Sequence, residues 1–456
     1  MAEELPVQSP VRSHGSFRKK PAANRSSRDA GRAEVVLVRD PRCRVGGLET
    51  WVETLATGLR AQGVQVHVLI PAGTETLLEP TGSGSTIQIP AQEGVEAQAS
   101  EVLRALERLA AQGHCGVYFT LGYRYISVAG LHLGGSPWLP VPVVHGRGAT
   151  DHDWILYGPP RRIIVPSRDH ARTIHAECVR RIGWFRSMRR VCVIPHGVRI
   201  PSAASVSAKW ERDLIGPLQI AVVSRLDEHD KRPWDYLRIA QQLVASNISF
   251  RMHILGDGPC ESAMRAWLRE NGLAAMVRVE GAVSAEAVSA CLASSHILLS
   301  ASDSEAFGLS VAEALAHACA VVSADIPGPV REMVNTRTGI RVPVGDIHGF
   351  CQAVMELQGN GREMRRKGMA GREYIENHYP LERMIAGYCD FLTTVQRFIR
   401  PRPDWHPPST LFATPGKALA ARVAGRSRLW RVVGGLRAVQ RGFIHRCFKG
   451  KTCVCL

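Results

Sequence analysis

The chain has 456 residues, 45% of them hydrophobic and 21% charged, with a formal net charge of +16. That length exceeds one ordinary core and suits two domains of about 150 to 200 residues plus tails, while the composition excludes disordered and fibrous classes. No uninterrupted apolar run reaches the roughly 18 residues a bilayer span needs, and no leader-type run opens the sequence, so the expected location is cytoplasmic.

The charge is unevenly placed. Residues 1–33 carry 7 basic and 3 acidic side chains and residues 401–456 carry 11 basic and 1 acidic, which leaves residues 34–400 at +2. Nucleic-acid binding needs a basic face on the folded body, so this distribution argues against it. The 12 cysteines are scattered, several inside apolar runs such as Val191-Cys192-Val193, and read as buried thiols rather than metal ligands.

In chain order, residues 1–33 are rich in Ser, Arg, Lys and Pro and read as a disordered basic tail. From Glu34 onward short β-branched runs alternate with longer helical stretches, the pattern of βα units around a parallel sheet. Strands are expected at 35–38, 64–70, 117–120, 141–144, 163–165 and 191–194, with helices near 48–62, 101–112 and 168–180. Together they make residues 34–199 one Rossmann-like domain with a single sheet. Residues 200–217 read as a linker. The rhythm then restarts, with strands at 220–223, 250–255, 277–279, 297–299 and 320–323 and helices near 233–245, 260–271, 308–318 and 346–357, giving a second domain over 218–380. Residues 381–400 are expected to form a helix crossing back to the first domain. The fold class is therefore α/β, two doubly wound domains facing a central cleft, with flexible basic tails at both ends.

The last segment, 401–456, is a basic amphipathic tail. On a helix Leu436, Val439, Phe443 and Cys447 share a face with Arg437 and Arg441 beside it, as on an anionic lipid surface; a tail that is only solvated or packs on the enzyme fits the same residues. Cys453-Val454-Cys455-Leu456 formally matches a prenylation box, with an unusual cysteine at its third place.

Three elements carry the candidate chemistry. Val45-Gly46-Gly47 precedes a helix, so a backbone can approach a ligand there while the helix N-terminus offers amides to a phosphate; a tight turn without a ligand explains the glycines equally well. Ser224-Arg225-Leu226 ends a strand and Lys231 follows, two cations suited to the charge that grows on a departing diphosphate, although isolated Arg and Lys are usually solvated. Glu305 and Glu313 stand eight residues apart around a strand-to-helix turn; an exposed helix with ordinary acidic residues is the alternative, and the apolar character of 307–322 favours a buried face. With the helix starting at about Phe307 or Gly308, two turns and roughly 10 Å separate them, so one carboxylate can serve sugar hydroxyls and the other ribose hydroxyls.

This ordered set resembles the family-four retaining glycosyltransferases (glycosyl transferases group 1) of the GT-B superfamily over roughly residues 34–395. Ile194-Pro195-His196-Gly197-Val198 is similar to the family's interdomain "IPNGV", Leu255-Gly256-Asp257-Gly258-Pro259 to its "GDGP", and Val144-His145 to the strand ending in its active-site histidine. The resemblance implies that Arg225 and Lys231 hold the donor diphosphate while Gly46 and Gly47 close over it. It further implies that Glu305, with the amides from Phe307 through Gly308 to Leu309, binds the transferred sugar, and that His145 bonds the same sugar. Glu313 is implied to bind the ribose, and the backbone from Gly281 to Val283 to face the base.

The implied donor is a UDP-, GDP- or ADP-hexose, the implied reaction a front-face transfer with retention and no metal or other cofactor, and the implied acceptor a glycan or lipid-linked sugar of cell-envelope polysaccharide or glycolipid synthesis. Asp151-His152-Asp153 has the form of another glycosyltransferase fold's metal motif and carries little weight beside Arg225 and Lys231. His196, Ser224, Arg232, Ala318 and Ala320 depart from the family's usual Asn, Gly, Gly, Gly and Pro. A nucleotide-sugar epimerase of the same fold and a catalytically silent sugar-nucleotide-binding module are the alternative functions.

Overall fold

Strands rich in Val, Ile and Leu, buried along nearly their whole length, organise both halves of the chain, as expected of parallel strands covered by helices on both faces. The computed structural model describes residues 34–39, 47–72, 83–145, 162–182, 191–211 and 216–407. Gly46, the Asp151-His152-Asp153 motif and the sequence readings made for 1–33 and 408–456 lie outside the described residues.

The first sheet has the order β3-β2-β1-β4-β5, all parallel, built from β1 (Glu34–Val38), β2 (Val66–Pro71), β3 (Thr86–Ile89), β4 (Gly116–Thr120) and β5 (Trp138–Pro142). Helices Gly47–Ala61, Val95–Ala111 and Arg124–Leu131 accompany it. The expectation of one sheet through residue 194 is corrected here. β6 (Ile163–Val165) and β7 (Val191–Val193) pair with each other as a separate two-stranded sheet, tied to the end of β5 by a single bridge between Val143 and Ile164. Among the described residues they meet the main sheet only past the end of β5, where Val144 N donates to the Ile164 carbonyl at 2.9 Å.

The second sheet has the order β10-β9-β8-β11-β12-β13, from β8 (Leu218–Val223), β9 (Phe250–Leu255), β10 (Val277–Gly281), β11 (Ile297–Ser300), β12 (Ala320–Ala324) and β13 (Gly339–Val342). In both sheets the strand order reverses beside the first strand, between β1 and β4 and between β8 and β11. Loops leaving the carboxyl ends of those strands diverge there and open the crevice in which such sheets bind ligands.

The segment read as a linker contains the helix Ala203–Glu211. Val206 and Trp210 are buried, and Lys209 is buried with its Nζ 2.8 Å from the Ser295 carbonyl, so packing and the helix-favouring alanines outweigh the local Pro and Ser content. The helix Leu381–Val395 packs into the core of the first sheet: Tyr388 meets Phe119 edge to face at 5.6 Å, and Ile385 lies against Gly58, where a Cβ would fall 2.3 Å from its Cδ1. Where the chain crosses between the two cores, Val198 donates to the Tyr379 carbonyl (3.0 Å) and accepts from the Leu381 amide (3.0 Å). No described helix is long and apolar enough to cross a membrane.

Candidate active site

The loops after β8 and β11 meet at the switch point of the second sheet. Arg225 leaves β8 beneath a close backbone approach: a Cβ on Gly256 would fall 2.0 Å from the Ser224 carbonyl oxygen, and one on Gly258 2.5 Å from that of Leu226. The "GDG" triplet thus lets the loop after β9 lie flat under the arginine loop, fixed by Leu226 N to Asp257 O (2.7 Å) and Cys260 N to Leu226 O (3.1 Å). Only glycine permits that approach.

Asp230 gathers the two cations. Its carboxylate accepts from the Arg225 guanidinium at 3.3 Å and lies 3.2 Å from Lys231 Nζ, while Asp227 stands 3.7 Å from the same guanidinium. Lys231 Nζ also lies 2.8 Å from Glu305 Oε1, and Asp303 N donates to the Asp230 carbonyl at 2.9 Å, joining the loops after β8 and β11. Beneath them the Tyr236 hydroxyl accepts from Ala301 N (3.1 Å); burial pushes this phenol up to about 12, with the charge of Glu305 adding to the push. Arg225, Lys231 and Glu305 therefore form one charged row joined through Asp230, although no local pattern in the sequence singles out Asp230 or Tyr236.

The helix after Glu305 begins at Leu309, with Gly308 as N-cap at φ 86°, one to two residues later than expected, and Glu313 lies just over one turn into it. The axial rise from Leu309 to Glu313 is about 6 Å. Burial raises the Glu313 carboxyl to about 7. The side chain of Phe307 is buried in the core, so only its backbone is available to a ligand. Gly281 ends β10 beside Gly256, and Val283 is half-buried after it.

Across the cleft, the Cβ position of Gly47 lies 3.5 Å from Leu309 Cδ1, so the helix starts Gly47–Ala61 and Leu309–Ala316 face each other. Beside them runs an aromatic row: Trp51 against His145 (4.3 Å between rings), His145 stacked on His196 (5.0 Å, 9°), and His196 edge-on to Phe307 (5.2 Å). Trp51 Nε1, His145 Nε2 and His196 Nδ1 are buried and have no hydrogen-bond partner among the described residues. Burial lowers both imidazoles, His145 well below the usual range and His196 to about 3, with neighbouring histidines reinforcing the shift, so both rings are neutral. Trp51 went unnoticed in the sequence because an apolar residue one turn into a helix looks like ordinary core.

Comparison with known proteins agrees with this architecture. The model of the Glycosyltransferase Family 4 domain matches residues 45–200, and that of the Glycosyl transferases group 1 domain matches residues 217–360. A glycogen synthase of Mycobacterium tuberculosis is 23% identical over 410 residues, covering 80% of this chain and 95% of its own. A phosphatidyl-myo-inositol mannosyltransferase of Mycobacterium leprae is 24% identical over 346 residues, 73% and 89% of the two chains. Among solved structures, a sucrose-phosphate synthase from Thermosynechococcus elongatus superposes with a TM-score of 0.64 at 18% identity, covering 80% of this chain and all (100%) of its own. With two matched domains side by side and two Rossmann-like sheets facing a shared cleft, the chain belongs to the group 1, family-four glycosyltransferases of the GT-B fold.

Proposed function

We propose that this glycosyltransferase moves a hexose from a nucleoside-diphosphate sugar to a glycan or lipid-linked acceptor of cell-envelope polysaccharide or glycolipid synthesis, with retention and without a metal. The observation that carries the reading is the row Arg225, Asp230, Lys231, Glu305, in which two cations and a sugar-side carboxylate share one loop junction. A diphosphate reaching this junction competes with Asp230 for both cations and offers them more charge. As the bond from the sugar C1 to the phosphate oxygen breaks, the cations neutralise the negative charge that develops, which lowers the barrier selectively.

In this reading the acceptor oxygen attacks C1 from the face the phosphate leaves, and the departing phosphate oxygen takes the acceptor's proton, so no protein nucleophile is used. Glu305 and the Leu309 amide hold the sugar. His145, neutral and with its Nε2 unpartnered, accepts from or donates to a sugar hydroxyl without adding charge. Glu313 takes the ribose hydroxyls, Gly46 and Gly47 cover the diphosphate, and the backbone from Gly281 to Val283 borders the base. Relatives named as glycogen synthase and phosphatidyl-myo-inositol mannosyltransferase, and the likeness to HepE of Anabaena in complex with UDP and glucose (TM-score 0.61, 15% identity), support a nucleotide-sugar donor. The basic amphipathic stretch 415–448 supports an acceptor at an anionic membrane surface. Nucleoside-diphosphate release from a panel of UDP-, GDP- and ADP-hexoses, with the anomeric configuration of the product read by NMR, tests the reading; an inverted product or no turnover of any donor refutes it.

A further inference from the structure

At the edge of the first sheet opposite the cleft, the amino ends of three parallel strands bring together residues far apart in sequence. Glu34 opens β1, His67 is the second residue of β2, and His114 lies two residues before β4. His67 Nε2 is 3.2 Å from Glu34 Oε2, His114 Nδ1 is 3.0 Å from the same oxygen, and no two of the three donor atoms are more than 4.8 Å apart. Tetrahedral zinc with bonds of 2.0–2.2 Å sets its donor atoms about 3.4 Å apart, so the two short edges match. His114, about a quarter exposed at 26%, has the rotational freedom to close the third.

The surroundings favour a ligand role for His67. Its Nδ1 is 2.7 Å from Ser85 Oγ, and donation from Nδ1 to that hydroxyl leaves the Nε2 lone pair facing Glu34, the outer-shell bond that fixes a metal-binding imidazole. Ser85 is itself held in place, since the buried Arg60 guanidinium donates to its carbonyl (3.3 Å) and to that of Val66 (2.9 Å). A cavity of about 460 Å³ opens on the cluster and is lined by His67, Ser85, His114, Arg108 and Gln112, giving room for a water or an anion as fourth ligand. Two imidazoles and one carboxylate suit Zn²⁺ and not Mg²⁺ or Ca²⁺, which prefer all-oxygen shells.

We infer that Glu34, His67 and His114 form a zinc site with one open coordination position, remote from the sugar-transfer cleft. The competing explanation is a hydrogen-bonded trio in which both histidines donate to Glu34. Zinc-stripped full-length protein titrated with Zn²⁺, and separately with Co²⁺ for its visible absorption, distinguishes the two. Because the chain has 12 cysteines, the readout is the difference between wild type and variants. His114→Gln retains a donor for Glu34 and so preserves a hydrogen-bonded trio, while it removes a ligand; His67→Ala removes another.

Wild type is expected to bind one more zinc per chain than either variant, to show a Co²⁺ band that both lack, and to gain thermal stability from zinc that His114→Gln does not. Ser85→Ala is expected to weaken zinc about tenfold. Equal zinc stoichiometry and identical Co²⁺ spectra in wild type and a His114→Gln protein with native circular dichroism overturn the inference. Should His67→Ala fail to fold, the exposed His114 variant decides alone.

Discussion

Lys231 Nζ lies 2.8 Å from Glu305 Oε1, so the cation assigned to the leaving group and the carboxylate assigned to the sugar touch directly across the switch point of the second sheet. The pair is mostly shielded, at 12% and 18% exposure, and Asp230 holds the lysine from its other side at 3.2 Å. Lys231→Ala and Glu305→Gln are each expected to lower kcat by about 100- to 1,000-fold with native circular dichroism. Because the groups are in contact, the double variant is expected to lose much less than the product of the two single effects. Steady-state rates of the three variants check this.

Glu313 carries a pH signature. Burial raises its carboxyl to about 7, whereas in the unfolded chain it titrates near 4.3. The ionised form is therefore disfavoured in the fold, a cost fully present above about pH 7 and relieved as the pH falls toward the unfolded value. Ribose hydroxyls donate best to the ionised carboxylate, so donor affinity is expected to rise between about pH 6 and pH 8. Calorimetric titration of donor across this range is expected to show that rise in wild type and a flat profile in Glu313→Gln.

The stacked histidines make a separate prediction about stability. His196 is depressed to about 3 by burial and by His170, against about 6.5 unfolded, so its contribution is intact above pH 6.5 and is lost as the pH falls toward 3. At pH 5 the loss is about 2 kcal/mol. His196→Asn, which restores the residue usual in the family, is expected to be more stable relative to wild type at pH 5 than at pH 7.5, and urea unfolding at the two pH values measures the difference.

Two left-handed positions test the backbone. Gly308 caps its helix at φ 86°, and a Cβ there would fall 2.6 Å from Val330 Cγ2, so Gly308→Ala is expected to cost about 2 to 4 kcal/mol from left-handed strain and overpacking. Ala318, at φ 54°, bears that strain already, and Ala318→Gly is expected to be neutral or to stabilise by up to about 1 kcal/mol. Denaturant midpoints of both variants decide.

The same positions show what could be read from the sequence. Long β-branched runs gave the strands of both sheet centres, because strands buried on both faces must be continuously apolar. One edge of each sheet was not legible: β3 reads Thr-Ile-Gln-Ile, and β13 opens on Gly339, where a Cβ would fall 2.2 Å from the Val321 carbonyl oxygen. The family's glycine at 232 and 318 has a plain physical reason, since Arg232 (φ 48°) and Ala318 occupy left-handed backbone. Arg232 offsets its strain through Asp235 at 2.6 Å and Asp303 at 3.5 Å. Arg225, Lys231 and Glu305 were legible as charged residues at strand ends. Asp230, which joins them, was not, because nothing local marks an aspartate that works through a tertiary junction. The Glu34, His67 and His114 cluster was invisible for the same reason.

The most direct test is nucleoside-diphosphate release and sugar transfer by the purified chain, followed by mass spectrometry over a panel of nucleotide-sugar donors, with Lys231→Ala run in parallel. Wild type is expected to turn over at least one donor, and the variant to lose that turnover by about 100-fold or more. Equal turnover in the two proteins, or none with any donor, contradicts it.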